Sequence, residues 1–143
     1  WGSNTEPYYC HILKAIAKLN LSDRVIVTGQ VNDAQLLAYY RTAHLFWSMS
    51  EHEGFGIPLI EAMWFNLPIL AYKSSAISET LGEGGILFTT KENMLEIAIL
   101  AKLLIHDQQL RNTVLKAQCK RRTKFLFSQN RNYINDLLTI ISS

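Results

Sequence analysis

Two glutamates with seven residues between them, Glu53 and Glu61, flank a glycine-rich turn in the stretch SEHEGFGIPLIEAM. Gly54 and Gly56 let the backbone approach a ligand closely, and Pro58 suits the first turn of a helix. The first N–H groups of such a helix have no internal acceptors, so together with the helix dipole they favour an anion such as a phosphate or diphosphate. The two carboxylates could then accept hydrogen bonds from hydroxyl groups at two ends of an elongated ligand.

A purely structural interpretation accounts for the same residues. Glu53 could cap the N-terminus of the helix, and Glu61 could be a surface residue of its second turn. The role of His52 is equally undecided, because a loop histidine can either donate to a bound sugar or phosphate or simply face solvent. The residue types alone do not decide between a capped helix start and an anion site.

Hydrophobic periodicity predicts alternating short strands and helices over residues 1–90 and helices alone over residues 91–143 of a single domain. The predicted strands are Arg24–Gly29, His44–Met49, Pro68–Tyr72 and Gly85–Phe88. The predicted helices are Glu6–Leu19, Ala34–Thr42 capped by Asp33, Pro58–Phe65, Ile77–Leu81, Glu92–Ile105, Gln108–Lys124 and Asn130–Ile141. This order is typical of an α/β fold with a parallel sheet covered on both faces, whose ligands bind beyond the carboxyl ends of the strands.

Composition narrows the class of protein. With 143 residues, 48% of them hydrophobic, the chain can bury a core, and its formal net charge of +2 does not indicate nucleic acid as a partner. The longest apolar run, Met94–Ile105, is too short to span a bilayer and is predicted to be a buried helix. The two cysteines suggest no disulfide framework and fit a reducing compartment. The histidines lack metal-ligand spacing, so we expect no metal site.

Three smaller features carry predictions of their own. The basic cluster KAQCKRRTK is predicted to be a solvated helix C-terminus, where the dipole favours cations, rather than a binding patch. Ser75 or Ser78 is predicted to cap the helix after the third strand, with Glu79 in its first turn. Asn66 is expected to end the helix that contains Glu61, because asparagine tolerates the left-handed conformation.

The stretch SEHEGFGIPLIEAM resembles the Glu-x7-Glu signature of retaining glycosyltransferases of family four, which have the GT-B fold of two Rossmann-like domains facing a donor cleft. The resemblance covers about Val25 to Phe125 and continues through LPILAYKSSAISETLGEGGILF and DQQLRNTVLKAQCKRRTKF. It implies a Rossmann-like parallel sheet with flanking helices, followed by C-terminal helices, as in the C-terminal half of a GT-B fold. Many family members carry a glycine before the proline of the next strand, where this chain has Asn66-Leu67-Pro68.

The resemblance also implies roles for individual residues. Glu61 would bind the ribose hydroxyls of a nucleotide-sugar, and Glu53 would lie beside the transferred sugar as the catalytic positioning and electrostatic group. The remaining donor-binding candidates are the backbone of Gly54, Phe55 and Gly56 at the sugar, that of Ile57, Pro58 and Leu59 at the diphosphate, the His52 side chain, and Gly29 and Val31 at the base.

The implied function is a retaining, metal-independent hexosyltransferase without a cofactor. It would move a sugar from a UDP- or GDP-sugar to a saccharide or lipid-linked acceptor, in polysaccharide, lipopolysaccharide or glycolipid synthesis. The N-terminal Rossmann-like domain and the Lys or Arg that usually meets the diphosphate are not seen in this chain, so we expect the chain alone to be inactive. The full protein is expected in the cytoplasm, with peripheral association at the inner face of the membrane. A non-catalytic nucleotide-sugar-binding or assembly module of the same fold and a nucleotide-sugar epimerase remain as alternatives.

Overall fold

The computed structural model describes residues 7–51 and 56–125, together with Asp136 and Thr139. The chain divides after Leu37 into two compact units. The first unit contains helix α1 (Pro7–Lys18) and the beginning of helix α2 (Asp33–Thr42). The second unit contains the rest of the described elements, including the sheet.

The segment between α1 and α2 corrects one predicted strand. Arg24–Gly29 is not a strand. The N–H groups of Arg24 and Val25 both donate to the carbonyl of Leu21, at 2.9 Å, and Ile26 is 82% exposed. A strand exists only through hydrogen bonds to a neighbouring strand, and an apolar run in the sequence does not supply that neighbour.

The start of α2 is capped one residue earlier than predicted. Asn32 Oδ1 accepts from the N–H of Gln35 at 2.9 Å, and Gln35 Oε1 accepts from the N–H of Asn32 at 3.0 Å. This reciprocal pair is a capping box, so Asp33 lies inside the first turn instead of capping it. The cap belongs to Asn32 because its side chain reaches the N–H three residues further along.

Within the described ranges, three parallel strands form a sheet in the order β1 (Phe46–Ser48), β2 (Ile69–Tyr72) and β3 (Ile86–Phe88). Phe46 is in register with Ile69, and Leu70 with Ile86. Helices α3 (Ile57–Trp64) and α4 (Ser75–Leu81) connect successive strands, as parallel pairing requires. The predicted βαβ order is therefore confirmed, with strands one to three residues shorter than their apolar runs.

Both faces of the sheet are covered, because successive side chains of β2 point to opposite sides. Ile69 and Ala71 pack in one core cluster with residues of α3 and α4, whereas Leu70 packs in a second cluster with residues of α5 (Met94–His106) and α6 (Gln108–Arg122). A 3-10 turn, Thr123–Phe125, follows α6. The predicted α/β class is confirmed.

Helix α5 is only half buried, which corrects the prediction of a buried helix. Ile97 and Leu104 are in the core, but Leu95 is 70% exposed and Ile99 is 50% exposed. A helix that lies on one face of a sheet presents a single stripe to it, so an apolar run that surrounds the helix cannot be buried completely. Within the described part of the chain, no helix is long and apolar enough to cross a membrane.

The last predicted helix, Asn130–Ile141, falls mostly outside the described residues. Asp136 and Thr139 are its two described members, and both are helical.

Part of the basic cluster at the end of α6 makes hydrogen bonds to another helix. Lys116, Lys120 and Lys124 are exposed, as predicted. Arg121 instead donates from Nε to the carbonyl of Thr80 at 3.0 Å and from Nη2 to the carbonyl of Glu79. These carbonyls belong to the last turn of α4, so the cation of one helix satisfies the C-terminus of another.

Candidate functional site

The predicted site lies in the loop and helix that follow β1. The strand ends at Ser48 and α3 begins at Ile57, so the intervening loop leaves the sheet at the carboxyl end of its strands. Residues 52–55 lie outside the described residues. The roles predicted for His52, Glu53, Gly54 and Phe55 therefore stay predictions.

Among the residues that the structure describes, no side chain caps the start of α3 from its N-cap position. Its N-cap residue is Gly56, in the left-handed conformation with φ 74° and ψ 38°, and Pro58 lies in the first turn as predicted. The Gly56 carbonyl accepts from the N–H of Leu59 at 2.9 Å and from that of Ile60 at 3.4 Å. Because glycine has no side-chain oxygen, the N–H groups of Leu59 and Ile60 have this backbone carbonyl as their acceptor in place of the side chain that Ser or Asp would provide.

Gly56 is also confined by its neighbours. A Cβ atom added there would lie 3.1 Å from Leu59 Cδ1 and 3.5 Å from the side chain of Thr80 on α4. The left-handed φ and the close approach of α4 both favour glycine at this position. The packing of α4 against the start of α3 consequently leaves little room for a side chain at position 56.

Glu61 lies one turn further along α3 and is buried. Its side chain belongs to a residue that is only 8% exposed, and Oε2 accepts a hydrogen bond from the Tyr40 hydroxyl at 2.8 Å. The interpretation of Glu61 as a surface residue is therefore wrong. A buried carboxylate is costly unless hydrogen bonds compensate it, so its presence here needs a structural or a binding explanation.

Tyr40, on α2, is the residue of this site that sequence reasoning missed. Its ring stacks on Phe46 at 6.3 Å between centroids and on Phe65 at 5.1 Å, with interplanar angles of 13° and 7°. Its hydroxyl lies 2.8 Å from Glu61 Oε2 and 3.4 Å from the Pro58 carbonyl. No local pattern signals this contact, because Tyr40 and Glu61 are separated by 21 positions and meet only through the fold.

The end of α3 is closed as predicted, with an additional partner. Asn66 has φ 54°, and the N–H of Leu67 donates to the carbonyl of Ala62 at 3.0 Å, which is a Schellman arrangement. Arg122 Nη1 donates to the Met63 carbonyl at 2.9 Å and to Asn66 Oδ1 at 3.0 Å. The helix that carries Glu61 is thus held at both ends.

Comparison with known proteins decides the family. The sequence model described as "Glycosyl transferases group 1" matches residues 6–124. The chain belongs to the glycosyl transferases group 1 family.

Two relatives and one solved structure show the range of similarity. The chain is 33% identical over 118 residues to an MMP alpha-(1->4)-mannosyltransferase from Mycolicibacterium hassiacum, a match that covers 80% of this chain and 28% of that protein. It is 44% identical over 59 residues to the GDP-mannose:cellobiosyl-diphosphopolyprenol alpha-mannosyltransferase of Xanthomonas campestris, covering 41% of this chain and 16% of that protein. The chain therefore spans less than a third of the length of either relative.

The solved structure is the C-terminal domain of a glycosyl transferase group 1 family protein (LpcC) from Francisella tularensis. It superposes with a TM-score of 0.71 at 24% identity, covering 86% of this chain and 64% of that one. This similarity concerns the fold, and it agrees with the predicted C-terminal half of a GT-B architecture.

Other residues of this glycosyl transferases group 1 domain meet at the same edge of the sheet. Lys91 Nζ lies 2.7 Å from Glu51 Oε1 and 4.5 Å from the ring centroid of Tyr72, the last residue of β2. The segment after β3 is thereby tied to the residue that precedes the glycine-rich loop. Sequence reasoning did not single out Lys91, because its partner lies 40 positions away.

The remaining predictions concern the cap of α4 and the two residues expected at the nucleotide base. Ser74, and not Ser75 or Ser78, caps α4, since its Oγ accepts from the N–H of Ile77 at 3.4 Å. Ser74 holds this place because it is the last extended residue before the helix begins. Gly29 and Val31 lie in the first unit of the domain, and their contact with a nucleotide base stays a prediction.

Proposed function

We propose that this domain binds the nucleotide-sugar donor of a hexosyltransferase, and that the donor is GDP-mannose. One observation carries the proposal: a helix whose N-cap residue is a glycine, Gly56, and therefore provides no side-chain cap, carries the buried carboxylate of Glu61 one turn later. The family and the mannosyltransferases among its relatives support a sugar donor, and one relative's name contains GDP-mannose.

The two parts of the site suit two parts of the donor. The N–H of Ile57 and the helix dipole would hold the diphosphate, since Pro58 has no N–H and the N–H of Leu59 already donates to the Gly56 carbonyl. Glu61 would accept hydrogen bonds from the ribose hydroxyls, which explains why a carboxylate is kept in a buried position. Glu53 would lie beside the transferred sugar, as a group that positions it and stabilises charge.

The reaction we propose is a retaining transfer that requires neither metal nor cofactor. The leaving diphosphate would be neutralised by helix N-terminal amides and by basic side chains, so no metal ion is needed to balance its charge. The acceptor would be a saccharide or a lipid-linked saccharide bound by an N-terminal Rossmann-like domain. The complete enzyme would act in the cytoplasm, associated peripherally with the inner face of the membrane.

Isothermal titration calorimetry of the 143-residue chain tests the proposal. GDP-mannose should bind more tightly than UDP-glucose if the proposed donor is correct. The two donors differ in both base and sugar, so the comparison tests both parts of the assignment. Glu61→Ala should weaken GDP-mannose binding about 10- to 100-fold, since hydrogen bonds to a charged group contribute about 1.5–3 kcal/mol. The control is Glu83→Ala, at an exposed glutamate, which should leave the affinity unchanged.

Two results would count against the proposal. Equal affinity of Glu61→Ala and the parent chain for every donor would remove the ribose assignment. Binding of UDP-glucose in preference to GDP-mannose would refute the donor that we propose.

A further inference from the structure

We propose that Tyr40 is a positioning residue for donor recognition. Its hydroxyl holds the Glu61 carboxylate in the orientation that accepts a ribose hydroxyl, so Tyr40 contributes to the preference for ribose over deoxyribose in the donor. This inference rests on the proposed function, and it adds a residue that neither the Glu-x7-Glu signature nor the glycine-rich loop contains.

The contact itself is short and buried. The Tyr40 hydroxyl lies 2.8 Å from Glu61 Oε2, and each residue is only 8% exposed. The terminal torsion of a glutamate side chain has a broad energy profile, so the side chain alone does not fix the plane of its carboxylate. A hydroxyl donor that approaches one oxygen from a fixed direction sets that plane, and hydrogen bonds of this kind are stronger in a low-dielectric interior.

Tyr40 can act as a fixed donor because the core holds its ring. Phe46 of β1 and Phe65 at the end of α3 stack on it, with centroids 6.3 and 5.1 Å away and nearly parallel planes. Rotation of the phenol would disrupt both stacking contacts. The position of the hydroxyl is therefore determined by the same packing that joins α2, β1 and α3.

The hydroxyl is also close to the first turn of α3. The Pro58 carbonyl lies 3.4 Å from it, so Tyr40 contacts both the diphosphate end of the proposed site and the carboxylate at the ribose end. A single side chain thus couples the two parts of α3 that would touch the donor. Support of this kind, from residues behind the binding groups, is what keeps a site preorganised.

A structural role alone explains the pair less well. A buried tyrosine needs an acceptor for its hydroxyl, but a backbone carbonyl would serve, and one is close at Pro58. Placing a carboxylate in the interior costs more than an apolar pair of similar volume would. A ligand that requires the Glu61 carboxylate would explain why this group is buried, and the need to orient the carboxylate would explain the Tyr40 hydroxyl beside it.

Tyr40→Phe provides the test, because it removes the hydroxyl and keeps the stacked ring. Calorimetry measures the affinities of each variant for GDP-mannose and for its 2′-deoxyribose analogue. We expect the parent chain to prefer the ribose donor by about 10-fold or more, and Tyr40→Phe to lose most of this preference. The matched control is Tyr39→Phe, at the neighbouring and 47% exposed tyrosine, which should keep the full preference.

The double variant Tyr40→Phe/Glu61→Ala distinguishes positioning from an independent contact. If Tyr40 acts through Glu61, the double variant should prefer ribose no less than Glu61→Ala alone, because the two effects are not additive. The ratio of two affinities also survives a loss of stability, since unfolded protein binds neither donor. If Tyr40→Phe does not fold at all, Phe65→Leu loosens the same ring and should reduce the preference in the same direction.

The outcomes separate this inference from the function on which it rests. Full preference for ribose in Tyr40→Phe, together with its loss in Glu61→Ala, would overturn the positioning role and leave the proposed function intact. Full preference in Glu61→Ala would instead remove the ribose assignment, and the role of Tyr40 with it.

Discussion

Gly56→Ala tests the start of α3 most directly. The residue has φ 74°, where an L-residue costs about 1–2 kcal/mol relative to the right-handed region. The new Cβ would also lie 3.1 Å from Leu59 Cδ1, which has to shift by a few tenths of an ångström at about 0.5 kcal/mol. The expected loss in the free energy of unfolding is about 2 kcal/mol, equivalent to a decrease in Tm of about 4–8 °C.

Binding should change as well. If the chain relieves the strain by rotating the backbone at position 56, the N–H of Ile57 no longer points where the diphosphate would lie. Loss of one hydrogen bond to a charged group lowers the affinity for GDP-mannose by about 10- to 100-fold. Thermal unfolding and calorimetry on the same protein preparation measure the two effects separately.

Gly82→Ala is the matched control, because Gly82 also has a positive φ, of 53°, and ends α4. Its Cβ would approach the side chain of Arg121 at 3.3–3.5 Å. This variant should lose about 1–3 kcal/mol of stability and keep its affinity for GDP-mannose. Unchanged affinity in Gly56→Ala together with a loss of stability well below about 2 kcal/mol, which would indicate that the backbone has rotated to relieve the strain, would refute the reasoning that places the diphosphate at this helix start.

Two further predictions concern stability and activity. Arg122→Met removes the hydrogen bonds to the Met63 carbonyl and Asn66 and the contact of the guanidinium with the Trp64 ring at 4.8 Å. Urea denaturation should show that the free energy of unfolding falls by about 2–3 kcal/mol, whereas the change for the exposed Lys120→Met should stay within about 0.5 kcal/mol. Equal effects of the two substitutions would mean that Arg122 does not stabilise α3. The chain alone should transfer no radiolabelled mannose from GDP-mannose to an acceptor extract, because half of the proposed cleft is absent; measurable turnover would contradict the two-domain mechanism.

The features that sequence reasoning predicted correctly are local ones. Pro58 in the first turn of α3 and Asn66 at its end follow from the backbone conformations that these residue types accept. The alternation of apolar runs predicted the order of strands and helices from Phe46 to Arg122, because period and length distinguish the two. The resemblance in SEHEGFGIPLIEAM predicted the family that the comparison then showed.

Apart from the two helix caps misplaced by one residue or more, the errors share a different origin, since each concerns a partner distant in sequence. The apolar stretch Arg24–Gly29 satisfies every local condition for a strand and still has no strand to pair with among the described residues. Arg121 sits where the dipole of its own helix favours a cation, as predicted, but its hydrogen bonds go to the end of α4. The residue types indicate that a strand needs a neighbouring strand and that a guanidinium needs hydrogen-bond acceptors. They do not indicate which strand or which acceptors are available in the fold.

The sequence by itself determined the order of the helices and strands from Phe46 to Arg122, which stretch resembles a donor site, and that Gly56 and Pro58 could open a helix toward an anion. Only the tertiary structure decided that Glu61 is buried and that Tyr40 holds it. The physical reason is range: backbone preferences and periodicity act over a few residues, whereas a hydrogen bond between side chains 21 positions apart exists only after α2, β1 and α3 have packed together.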